Sequence, residues 1–240
     1  MDIVGKRINR DLNEVFARLK PIHNGLDTVF GFSNPLPTSL ESVFPNAVDG
    51  SPNASSGVLD DCVEWVRNSI AWIVRFTAFD QSCVLTISLK QHMTQEAWER
   101  GFATGQWYFN LNDGQADDFW GMSCVRINSV SASVVGDELA GFWKASIRPP
   151  ISGAYKRLSG EKVVVEQPDV PTLFLGRVGS RKPLQYADFT GRSSFKNFSP
   201  LGQWKVTLGA LSTQGEARQK VRDLELDIEV IYQDAIKDNI

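Results

Sequence analysis

The sequence predicts a mainly β fold: an antiparallel two-sheet sandwich of jelly-roll type, with an N-terminal helix and one long hydrophobic helix packed against it. Three observations predict it. From Asp223 to Tyr232, the apolar residues Leu224, Leu226, Ile228, Val230 and Tyr232 alternate with Asp223, Glu225, Asp227 and Glu229. Such alternation marks a half-buried strand, so Leu226 and Ile228 are expected in a core and Glu225 and Asp227 in water. Weaker copies recur back to Cys83, separated by turn residues with no long helix between them, the spacing of a sandwich. The one long helical pattern, residues 58–79, lies ahead of all these strands.

Taken in order, residues 3–19 place Val4, Ile8, Leu12, Val15, Phe16 and Leu19 at helical spacing, and Pro21 after Lys20 supplies a stop. From Asn34 to Gly57 the chain is rich in Pro, Ser, Asn and Gly, with Pro35, Pro37, Pro45 and Pro52. That composition reads as a linker or wrapping loop. Within it, Leu36, Leu40, Val43 and Phe44 suggest that part of it lies on a surface. Two regions follow: 1–57, helix and linker, and 58–240, long helix and sandwich.

On a wheel at about 100° per residue, residues 58–79 form a narrow polar side of Asp60, Glu64, Arg67, Asn68, Ala71 and Arg75. Leu59, Val63, Val66, Ile70, Ile73 and Val74 form one apolar stripe, and Trp65, Trp72, Phe76 and Phe79 an adjacent aromatic one. The arc is wider than the roughly 100° of a surface helix. The aliphatic stripe is expected to pack on the β-domain. The aromatic one needs cover by the N-terminal helix, the first expectation, by the 34–57 loop or by a partner protein.

Strands are expected at Cys83–Leu89, Gln106–Leu111, Val125–Val135, Phe142–Arg148, Lys162–Val165, Thr172–Val178, Gln203–Leu208 and Asp223–Tyr232, with a short helix from Thr94 to Gly101. The apolar phase of the third strand flips between Ile127 and Val130, which predicts a bulge near Asn128 and Ser129. Asn112-Asp113-Gly114 is a turn signal.

Composition narrows the function. The chain has 240 residues, 42% of them hydrophobic, room for one large domain with a small appendage. A net charge of −3 argues against nucleic-acid binding. No apolar run reaches the roughly 18 residues of a membrane span. The N-terminus lacks the apolar region of a signal peptide, so synthesis is expected in the cytoplasm without a Sec address. Cys62, Cys83 and Cys124 are odd in number and widely spaced among apolar neighbours, as buried thiols are.

Catalytic groupings are not apparent. Neither His23 nor His92 has a nucleophile and an orienting acid grouped with it in sequence. Ser193-Ser194 lacks the glycine spacing of a nucleophile elbow. The expectation is a non-enzyme without a cofactor. Asn110, Asn112, Asp113, Asp117 and Asp118 form an oxygen-rich loop of a kind that can bind Ca²⁺. The loop matches no full calcium motif, however, and reads first as a solvated turn. Arg177, Arg181, Lys182, Arg192 and Lys196 make a modest basic cluster that reads as a solvated face. Of seven tryptophans, Trp107, Trp143 and Trp204 share the inward phase of their strands. Trp98 and Trp120 sit in helix or loop and are the freest to contact a partner. The expected partner-binding set is therefore Trp65, Trp72, Phe76, Phe79, Trp98 and Trp120.

Three stretches carry a family resemblance. They are Arg126–Val134 (RINSVSASV), Arg192–Val206 (RSSFKNFSPLGQWKV) and Val221–Leu226 (VRDLEL). In this order they resemble the C-terminal region of the A component of bacterial insecticidal toxin complexes (Tc toxins), over about residues 59–234. Gly136-Asp137 stands where that family has a "GPY" after its strand. The resemblance implies a module that binds another protein of a toxin or injection assembly. It does not imply a pore, since channel-length helices are absent from the sequence pattern. The leading expectation is thus a protein-binding sandwich that meets another subunit or itself. Its rivals are a carbohydrate-binding jelly roll using Trp98 or Trp120 beside a Ca²⁺ loop, and a free-standing insecticidal toxin with a receptor-binding sandwich.

Overall fold

The structure, a computed structural model, describes residues 3–37, 56–113, 119–136, 143–167, 172–178, 196–210 and 220–235. The chain divides into two compact units, Met1–Asp80 and Gln81–Ile240. The long helix therefore falls with the N-terminal helix, where the sequence pattern had grouped it with the strands.

In the helical unit, α1 runs from Ile3 to Phe30 and passes through Pro21. The expected stop at Pro21 is not where the helix ends. A proline inside a helix costs one backbone hydrogen bond and about 3 kcal/mol. The apolar spacing of Phe16, Leu19 and Leu26 continues across it, and these residues belong to the unit's core. The helix ends instead at Gly31, whose φ of 72° few side chains tolerate. Gly31 N–H donates to Asp27 C=O at 2.9 Å, the bond of an αL cap, and Phe32 N–H donates to Leu26 C=O at 3.2 Å. The cap turns Phe32 back into the core, where it is buried. Helix α2 spans Ser56–Thr77.

The β-unit holds nine strands and one helix among its described residues: β1 Gln81–Ser88, α3 Gln95–Thr104, β2 Gln106–Leu111, β3 Met122–Gly136, β4 Trp143–Arg148, β5 Ser152–Lys156, β6 Lys162–Glu166, β7 Leu173–Val178, β8 Gly202–Ala210 and β9 Val221–Asp234. They form three antiparallel sheets, ordered β1-β9-β3, β2-β8-β4-β7 and β5-β6. The first two share one core. Ile87, Ile127, Val130, Leu226, Ile228 and Val230 come from one sheet, and Trp107, Phe109, Ile147, Trp204, Val206 and Leu208 from the other.

Several local choices set this core. The β3 bulge falls where the phase flips, with a register shift between Ile127 and Ser129 against β9. Thr94 caps α3, its Oγ1 accepting from Ala97 N–H at 3.3 Å. Gly101 on α3 lies against the Trp107 indole, and a Cβ there would sit 2.0 Å from Nε1. That indole N–H donates to Trp98 C=O at 3.1 Å. Strand β5 was not expected, because Gly153 and Ala154 give it no apolar alternation to read. It is made by pairing with β6 across a turn closed by Gly160 N–H to Arg157 C=O at 2.9 Å.

One burial expectation is corrected. Leu226 and Ile228 are fully buried as expected, but Asp227 is also buried and Glu225 is half-buried rather than exposed. Strand β9 is central, flanked by β1 and β3, so its outward carboxylates lie between rows of hydroxyls. Thr86 Oγ1 donates to Asp227 at 2.6 Å, and Ser88 and Ser129 donate to Asp223 and Glu229. A buried carboxylate with such donors avoids the penalty of an unpaired charge.

Candidate functional site

The aromatic stripe of α2 is turned into its own unit. Val58, Cys62, Trp65, Ser69, Trp72 and Phe76 follow one another at steps of 4, 3, 4, 3 and 4 residues, so they line one face of the helix. Phe32 meets Trp65 at 6.3 Å and Trp72 at 4.7 Å between ring centroids; Trp72 stacks on Phe76 at 4.9 Å, and Phe30 meets Phe76 edge-on at 5.1 Å. Trp65 Nε1 donates to Asn34 C=O at 3.2 Å, and Ser69 Oγ donates back to Trp65 C=O at 2.8 Å, leaving neither polar atom stranded in the core.

The other stripe faces out. Leu59, Val63, Ile70, Ile73 and Val74 are 36 to 63% exposed, and Phe79 beyond the helix is 74% exposed. Of the expected partner-binding residues, Trp65 is buried, and Trp72 and Phe76 are partly buried beside it. Trp98 is buried in the β-unit core against Phe102 and Trp107. It is not the free aromatic its position suggested, because α3 lays that face on β2. Trp120, in the β-unit, is 59% exposed. The exposed aliphatics of α2 belonged to the packing stripe in the sequence pattern; no periodicity could show which of two equal stripes its own chain covers.

Of the calcium candidates, Asn110, Asn112 and Asp113 are described. Asn110 Nδ2 bonds Asn112 Oδ1 at 3.2 Å, and Asp113 pairs with Lys162 Nζ. Asp117 and Asp118 lie outside the described residues. No group of three or more His, Cys, Asp or Glu side chains able to hold a metal occurs among those described. Trp143 and Arg177 have described backbones but not side chains, and Arg181, Lys182, Arg192, Ser193 and Ser194 lie outside the described residues. Burial pushes the Cys62 and Cys83 thiols up, with Asp61 adding to the effect at Cys62. Both therefore stay protonated near neutral pH and are poor nucleophiles.

A cleft that the sequence did not announce opens on the outer side of the β2-β8-β4 sheet. It holds about 350 Å³ and is walled by Tyr108, Arg148, Ile151, Ser152, Gln203 and Lys205, among others. Tyr108 is 52% exposed, with Lys205 Nζ 5.4 Å from its ring centroid. The only sequence signal was the outward phase of Tyr108 in an otherwise inward-aromatic strand.

A buried polar knot ties the β5–β6 hairpin to the chain entering β8. Gln167 Nε2 donates to Pro150 C=O at 2.8 Å, and its Oε1 accepts from Ser199 N–H at 2.7 Å. The Tyr155 hydroxyl lies 3.2 Å from Gln167 Oε1 and 3.1 Å from Asn197 C=O. Burial pushes the Tyr155 phenol up to about 12, against smaller downward pulls from the Ser199 backbone and Arg126.

No family model and no curated protein sequence matches the chain. Among solved structures it is similar to a chain of the TcaA–TcaB assembly of Yersinia pseudotuberculosis. The identity is 12% and the TM-score 0.37, over 77% of this chain and 11% of that one. No helix among the described residues is long and apolar enough to cross a membrane.

Proposed function

We propose that this chain is a non-enzymatic protein-docking module whose contact face is the outer stripe of α2. One observation carries it: five large aliphatic side chains, Leu59, Val63, Ile70, Ile73 and Val74, stand exposed along a single helix face. Folded proteins scatter exposed apolar residues singly, and a continuous patch marks a contact surface. The β-unit then serves as the carrier. The nested pairing of β1 with β9, β2 with β8 and β4 with β7 supports a sandwich of jelly-roll type. The motif order in sequence supports a setting in a toxin-complex or injection-type assembly. The test is a photo-crosslinking amino acid at position 70 in the full chain, expressed beside its native neighbours. A protein adduct at position 70 and none at position 90 is expected; solvent-quenched product alone at position 70 would sink the proposal.

The outer cleft of the β-unit favours a second role, carbohydrate binding. Exposed tyrosine rings stack on sugars, and Gln203, Ser152 and Lys205 supply hydrogen-bonding groups around Tyr108. Glycan-array binding that Tyr108→Ala abolishes is the expected sign. Binding untouched by that change would remove the cleft from consideration.

A further inference from the structure

The outer stripe of α2 has the spacing of a coiled-coil seam. Leu59, Val63, Val66, Ile70 and Ile73 follow at steps of 4, 3, 4 and 3 residues, the a/d repeat by which helices wrap on one another. The buried stripe, one residue behind, has the same repeat. Thus α2 carries two adjacent seams, about 100° apart. The inner is closed by Leu19, Phe30 and Phe32 of its own unit. The outer has the same geometry; its Val66 leans on the unit's own core, while Leu59, Val63, Ile70 and Ile73 stand exposed among the described residues. A seam of this kind is matched by another helix rather than by a flat surface.

Charge along the same helix says which helix. Asp60, Asp61 and Glu64 occupy its first half; Arg67 and Arg75 occupy its second; all five are exposed. Two copies of α2 laid parallel would set acid on acid and base on base. Laid antiparallel about an axis near Val66 and Arg67, Val63 of each meets Ile70 of the copy, and Leu59 meets Val74. The acidic half of each then lies along the basic half of the other. A two-fold arrangement of this type is self-complementary by construction, and it also opposes the two helix dipoles favourably.

We propose that the outer seam of α2 is occupied by the α2 of a second copy of this chain, in antiparallel register. The pairing presupposes the docking role proposed above and names its partner. One helix seam is smaller than the roughly 800 Å² per partner of a standard interface, so the dimer should dissociate in the micromolar range, around 1 to 10 μM.

Sedimentation equilibrium of the full chain tests it. The expected result is a concentration-dependent dimer. Ile70→Glu should give a monomer whose melting temperature matches that of the unaltered protein in solution dilute enough to keep both monomeric, because Ile70 is exposed and holds no core. Arg75 of each copy lies near Asp60 and Asp61 of the other in this register, so Arg75→Glu should weaken the dimer about fivefold at low salt, and the double change Asp60→Arg with Arg75→Glu should restore it. In a parallel dimer Arg75→Glu would only exchange one like-charged pair for another, so an unmoved dissociation constant overturns the antiparallel register. A dimer that survives Ile70→Glu, or a monomer up to about 100 μM, overturns self-pairing. In that second case the photoprobe at position 70 separates the two ideas: an adduct with a different protein leaves the docking role standing, and no adduct removes both.

Discussion

The two units of this chain treat their apolar residues differently. Among the described residues of the β-unit, one cluster gathers 22 buried hydrophobic residues, from Ile87 to Val230, drawn chiefly from the two large sheets and α3. Its large exposed hydrophobics, Val84, Tyr108, Trp120, Ile151 and Val164, come from five separate places in the sequence. In the helical unit the core cluster has five buried residues, while α2 alone leaves five large aliphatics in water. The difference follows from geometry. Two sheets laid face to face enclose each other's apolar sides. Two helices can close one seam between them, and a helix with two seams needs a third helix. Among the described residues the β-unit encloses its apolar side chains, while the helical unit leaves one face of α2 exposed.

That contrast can be broken at several points, the largest first. Trp204 is fully buried at the centre of the β-unit, stacked with Phe109 and donating to Pro200 C=O at 2.7 Å. Trp204→Ala should lower the stability of the β-unit by about 3–5 kcal/mol, read from the urea midpoint. A smaller loss would mean that the two sheets do not share one core.

Tyr155 sharpens the comparison through pH. Its phenol titrates near 10 when unfolded and is pushed up to about 12 in the fold. A raised pKa of this kind contributes stability that is complete below pH 10 and is lost as pH rises from 10 through 12. About 3 kcal/mol should vanish over that window. Tyr155→Phe should flatten that part of the pH profile, and an unchanged difference between the two proteins from pH 9 to 12 would refute the buried-phenol account.

Gly101→Ala comes next. The new methyl would enter the Trp107 indole, and the ring, already bonded to Trp98, must shift. A loss of about 1–3 kcal/mol is expected from such overpacking. By contrast Ile70→Ala, on the open face of α2, should change stability by less than about 0.5 kcal/mol in dilute solution. Equal losses at positions 101 and 70 would erase the distinction between a closed and an open unit. The smallest expected effect is that of Ca²⁺. With Asp113 paired to Lys162, millimolar Ca²⁺ should leave the melting temperature unmoved. A rise abolished by Asp117→Ala would restore the calcium loop and strengthen the sugar-binding role.

How much of this was legible in the sequence differs by unit. Strands with clean alternation, such as Gln106–Leu111 and Asp223–Tyr232, lie where the period placed them, and the β3 bulge sits where the phase flipped. Strand β5 was hidden because Gly153 is small for a reason no pattern shows: Gln167 packs where its Cβ would be. Asp227 was misjudged because alternation says which way a side chain points, not whether neighbouring strands cover it. Helix α1 was cut short because proline is a strong local signal, while the core that holds the helix through Pro21 is assembled from distant residues. For the candidate site, the two stripes of α2 were plain. Which of them its own chain would cover was not, since Phe32 reaches Trp65 and Trp72 only after the turn at Gly31.

The central place of β9 has a bearing on how the chain is made. β9 lies between β1 and β3, pairing Gln81 with Tyr232 and Val134 with Leu224. The earliest strand of the β-unit thus waits for one synthesised about 140 residues later. During translation β1 and β3 have open edges facing an absent neighbour, a state prone to sticking to other chains. Contacts this distant along the chain also slow folding. Nascent chains stalled before residue 221 should therefore be bound by chaperones and cut readily by protease, and resistance should appear abruptly once residue 234 has cleared the ribosome.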